Sequence, residues 1–65
     1  MRLANLKIQR IKKGITQMVL GKRIGVSERM ISGYETGRNV PDSYTTTKLA
    51  EALECSQDDL MHEPI

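Results

Sequence analysis

Twenty residues, Gln17–Thr36 (QMVLGKRIGVSERMISGYET), constrain this chain more than any other stretch. Leu20 and Ile24 lie four apart, so they share one face of a short helix. Gly25 follows, and glycine enters the left-handed region at no steric cost, so the helix can stop there. Val26 then reads as a buried plug in the turn, and Ser27 as the N-cap of a second helix over about Glu28–Glu35. Ile31 and Tyr34, three apart, give that second helix an inward stripe. Gly21 removes bulk where the two helices have to cross.

Two helices held at a steep angle by a short glycine-containing turn form a helix-turn-helix, whose second helix enters the DNA major groove. The other reading of the same pattern is a helical hairpin with no nucleic-acid role. The charge agrees with the first. Met1–Arg38 carries nine Lys or Arg against Glu28 and Glu35, whereas Asn39–Ile65 carries Lys48 against six Asp or Glu. The motif thus sits in a basic half, as phosphate binding requires, and the acidic half would face away from DNA or towards a partner.

Sixty-five residues hold one domain with a small core, built here without Phe or Trp. Residues 2–13 read as a first helix that stops at Gly14, with Lys12 and Lys13 at the negative end of its dipole. Leu3, Leu6 and Arg10 fall on one stripe of it. A guanidinium among apolar residues needs a partner, and Glu35, on the inward side of the second motif helix, is the candidate. The alternative is that Arg10 reaches round to solvent. Ile11 is expected to tuck under Ile15, while Ile8 is harder to bury and marks a candidate protein-contact surface.

Thr16 is placed to cap the helix Gln17–Ile24. GRNVPDS at 37–43 forms a loop, and Asp42 or Ser43 opens a fourth helix to about Glu54, with Leu49 and Leu53 inward. Thr45, Thr46 and Thr47 should weaken its first turn. Ser56 and Asp59 resemble a capping box opening a short fifth helix, Gln57–His62. Cys55 packs as a small hydrophobe.

Five helices in this order, with GITQ at 14–17, LGKRIGVS at 20–27, ISGYETGRNVP at 31–41 and KLAEALECS at 48–56, resemble the Cro and phage-repressor family, the xenobiotic-response-element type of helix-turn-helix. The resemblance runs from about Asn5 to Leu60 and implies an all-α, five-helix, lambda-repressor-like domain. It implies a regulator that binds a double-stranded operator as a symmetric dimer. At matching positions, Gln17, Arg38 and Asn39 would contact the DNA backbone, and Ser27, Glu28, Arg29, Ser32 and Gly33 would face base edges. The family often buries an Arg–Glu pair where Arg10 and Glu35 stand. Gly33 departs from the pattern, for members usually carry a long polar side chain there, so one reading position is blank. Glu28 would repel phosphates unless it accepts from a cytosine amino group, which leaves Arg29 as the strong base reader. Met30 flanks that face within reach of a thymine methyl or a protein partner. Met18 and Val19 replace charged or small residues.

The leading expectation is a sequence-specific DNA-binding regulator, a Cro-like phage or prophage repressor that reads its operator through Glu28–Glu35. Its length leaves no room for a separate dimerisation domain, so a homodimer would use the last helix and the tail MHEPI. The alternative is a protein-interaction module, an antirepressor or co-repressor that binds another phage repressor protein through Ile8, Met18, Val19 and Met30. No acid–base pair or metal-ligand spacing supports an enzyme, a metal or a cofactor, with His62 near the end of the chain and Cys55 buried. A single Cys, the lack of a signal-peptide hydrophobic region and the lack of any membrane-spanning apolar run fit a cytoplasmic protein.

Overall fold

The computed structural model describes residues 2–63, which form five helices and no strand. They are α1 Leu6–Lys13, α2 Gln17–Ile24, α3 Glu28–Thr36, α4 Ser43–Leu53 and α5 Gln57–Met61. α2 and α3 pack most extensively on each other, and α4 lies against α1, α2 and α5. Leu6, Leu20, Ile31, Leu49 and Leu60, one from each helix, are fully buried together. Each such side chain contributes roughly 1.5–3 kcal/mol by leaving water. No helix among the described residues is long and apolar enough to cross a membrane.

The helix ends follow the side chains that can satisfy them. Thr16, Ser27, Asp42 and Ser56 each accept a hydrogen bond from the backbone amide three residues on, at 2.8–3.1 Å. Asp59 completes a capping box by accepting from the Ser56 amide at 3.1 Å. The Thr45 amide holds the Asp42 carboxyl below its ordinary pKa, and the Ser56 amide does the same for Asp59. These caps act above pH 3.8 and lose their contribution as the pH falls through the lowered values.

Gly25 takes φ +81° and passes its N–H to the Gly21 carbonyl, closing α2 in the left-handed turn expected of it. A Cβ at Gly21 would lie 2.6 Å from the Val26 carbonyl oxygen and 3.3 Å from the Ser27 carbonyl carbon. The neighbour is backbone, which cannot swing aside. Gly21→Val should therefore lose about 1–3 kcal/mol by overpacking. Thermal melting would show this as a fall of roughly 4–8 °C per kcal/mol; an unshifted midpoint would show that the turn yields freely.

Several expectations are corrected. α1 begins at Leu6 rather than at residue 2. Residues 2–5 form an irregular lead-in and turn, closed by the Leu6 N–H donating to the Leu3 carbonyl at 3.2 Å, from which Leu3 still reaches the core at 1% exposure. Asn5 ties that segment to α5, its N–H donating to the Leu60 carbonyl at 2.9 Å and its Nδ2 to the Asp59 carbonyl at 2.8 Å. Ile11 does not tuck under Ile15; it is 56% exposed, because the left-handed turn at Gly14 carries Ile15 alone onto the core. Val26 is half buried rather than a full plug. α5 ends at Met61, and α4 ends at Leu53 with Glu54 as a left-handed cap at φ 54°. The threonines do not leave the start of α4 open, since Thr46 and Thr47 donate their hydroxyls to the carbonyls of Asp42 and Ser43 at 2.8 and 2.9 Å.

Candidate nucleic-acid interface

The outward side of the motif is built on a buried charge. Arg10 donates from Nε to Glu35 Oε2 at 2.5 Å and from its second terminal nitrogen to Oε1 at 3.3 Å. Its other terminal nitrogen donates to the Ile15 carbonyl at 2.9 Å. The Glu35 side chain is 3% exposed and that of Arg10 12%, so the pair runs from α1 to α3 beneath the surface. The partner expected for Arg10 is thus the one it has.

Gln17 belongs to the same network. Its Nε2 donates to Glu35 Oε1 at 2.9 Å, which fixes the first side chain of α2 against the last turn of α3. One amide hydrogen is therefore committed within the protein, while the second and the Oε1 remain. Thr16 caps Val19, leaving the amides of Gln17 and Met18 without a partner among the described residues. That N-terminus of α2 carries the positive end of its dipole.

On α3, Ser27, Glu28, Arg29 and Met30 are exposed and Ser32 is half buried. Ser27 uses its Oγ as acceptor for the Met30 amide at 3.1 Å, so its hydroxyl proton and one further lone pair are left to offer a ligand. Gly33 corrects the picture of an empty reading position. It is buried, and a Cβ there would overlap Asn39 Nδ2, 3.1 Å from Asn39 Cγ and 3.3 Å from a terminal nitrogen of Arg38. The loop after α3 thus folds back over the helix, held by the Asn39 amide donating to the Gly33 carbonyl at 3.1 Å. Arg38 and Asn39, the two expected backbone contacts, both lie against Gly33 in the middle of α3.

Arg2 is a neighbour that the sequence did not announce. Its Nε lies 2.8 Å from where a Cβ at Gly37 would stand, adding a cation beside the end of α3. It had no signal beyond its charge. Of the apolar candidates, Met18 is 51% and Ile8 40% exposed, whereas Val19 is half buried. Among the described residues, no group of three or more His, Cys, Asp and Glu could hold a metal ion. Cys55 is half buried, and burial raises its thiol pKa.

The chain matches the family described as Helix-turn-helix over residues 6–60. Over 56 residues it is 38% identical to repressor protein C2 of Salmonella phage P22. That match covers 86% of this chain and 26% of the relative, so the chain spans about a quarter of the relative's length. Its fold is similar to the crystal structure of the P22 c2 repressor protein in complex with synthetic operator 9T in the presence of Tl+, with a TM-score of 0.85. That alignment covers 98% of each chain at 32% identity. From these matches and from its helix pair, the chain belongs to the helix-turn-helix family, in the Cro and phage-repressor branch.

Proposed function

We propose that this chain is a sequence-specific DNA-binding regulator of the phage-repressor kind, which places α3 in the major groove of an operator. The observation that carries this reading is the near-complete overlay of its fold on a repressor captured on operator DNA. The residues fit the role. Arg29 is exposed in the first turn of α3 and presents a fork suited to a guanine edge. Ser27, Glu28 and Ser32 flank it, and Met30 lies within reach of a thymine methyl. The free amides at the start of α2, with the Gln17 side chain, receive a phosphate. Arg38 brings a further cation to the same strand.

A single α3 reads too little sequence for tight binding, so the regulator acts as a homodimer on two half-sites, in the cytoplasm. Of the tail expected to build that dimer, Pro64 and Ile65 lie outside the described residues. It is a binding protein and not an enzyme.

The test is a titration against a duplex from its own promoter region and a scrambled duplex, at two salt concentrations. Specific binding that weakens steeply with salt is expected, and Arg29→Ala should lose about 1–3 kcal/mol of it. Equal weak binding to both duplexes would sink the proposal. The exposed Ile8, Ile11 and Met18 would then favour the second reading, a module that binds another repressor protein.

A further inference from the structure

The recognition helix lacks a side chain in the middle of its outward face, yet that place is not empty. Gly33 stands four residues after Arg29 and three after Met30, so a group over its α-carbon shares their face. The group found there is the side-chain amide of Asn39, six residues further along the chain. Its backbone N–H is fixed to the Gly33 carbonyl at 3.1 Å. Its Nδ2 also lies 4.0 Å from the Met30 sulfur, which orients the amide along the helix surface. This is a weak contact. It leaves the second Nδ2 hydrogen and the Oδ1 uncommitted among the described residues. The Arg38 guanidinium lies beside it.

We propose that Asn39 is a base-reading residue: laid over Gly33, its amide takes the place of the missing helix side chain and pairs with an adenine edge in the major groove. This rests on the DNA-binding reading above. An asparagine amide offers one acceptor and one donor side by side, which match the N6 amino group and the N7 of adenine. An amide that only touched the backbone would have no need of a glycine beneath it. With any Cβ at position 33 the amide has to move outwards, because the overlap is with the far end of the Asn39 side chain. Glycine at position 33 weakens the helix relative to alanine. Its compensation is the seat it makes for Asn39.

The experiment selects binding sites from a pool of duplexes with a randomised core, using the full chain and the variants Asn39→Ala and Gly33→Ala. Helical content by circular dichroism is measured for each. The parent is expected to select a consensus containing adenine at one position per half-site. Asn39→Ala should lose about 10- to 100-fold discrimination at that position alone, with the other positions and the salt slope retained. Gly33→Ala should lose it too, although its helix melts no lower than the parent's. If Asn39→Ala weakens every sequence alike and lowers the salt slope by about one, Asn39 is a phosphate contact and the inference falls while the DNA-binding reading stands. If Gly33→Ala keeps the parent's consensus unchanged, the seat is irrelevant and the inference falls as well. A parent that selects no consensus overturns both.

Discussion

Glu35→Ala should remove about 3–5 kcal/mol of folding stability, because it strands a guanidinium that has little access to water. Arg10 would lose both hydrogen bonds to the carboxylate but keep its third, to the Ile15 carbonyl. That remaining anchor holds the charge under the surface instead of letting it swing out. Gln17 would lose its partner in the same step, so the start of α2 would loosen together with the end of α3. Domains of this kind hold only about 5–15 kcal/mol in total, and a chain this short sits at the lower end. The single variant would then be largely unfolded at moderate temperature. Arg10→Met combined with Glu35→Leu should recover most of the loss, since charge and counter-charge leave together. Urea titration of Arg10→Met, of Glu35→Leu and of the double variant measures this as a coupling energy. If Glu35→Ala unfolds at the parent's midpoint, the pair is structurally idle.

Leu49→Ala should cost about 2–5 kcal/mol, and the geometry favours the upper part of that range. Leu49 is fully buried on α4, and α4 is the helix that touches α1, α2 and α5. A void under it is bordered from several sides, so no single helix can close it by shifting. Ala52 offers the contrast, being only partly buried at the edge of the same helix. Thermal melting separates the cases: Leu49→Ala should fall by roughly 8 °C or more. A fall of only a degree or two would mean that the core collapses onto the gap.

The fold was legible wherever a side chain settles a local question. Thr16, Ser27 and Ser56 cap where their position before an apolar-periodic stretch says they should. Gly25 turns where the spacing of Leu20 and Ile24 requires a stop. Arg10 announced a long-range contact for a different reason, since a charge in an apolar stripe has to be answered somewhere. What misled was coincidence of spacing. Leu3 stands three before Leu6 and so reads as helix, yet it reaches the core from a turn ahead of α1. The signal that would have corrected this is Asn5, whose partners on α5 are distant in the chain and invisible to any local pattern. Gly33 misled similarly. A sequence shows an absent side chain, whereas the space it leaves is filled by a residue outside the helix.

The clasp between Asn5 and the Asp59–Leu60 carbonyls brings the first and last described elements to one edge of the domain. α5 has five residues, too few to persist as an isolated helix. It is held because Asn5 in the turn before α1 grips it and because Leu60 is buried in one cluster with Leu3 and Leu6. Neither segment can therefore loosen alone, for loosening Leu3 releases α5, and lifting α5 frees Leu3. The segment around Leu3 and Asn5 and the helix α5 thus act mechanically as a single latch on the face of the bundle formed by α1, α4 and α5.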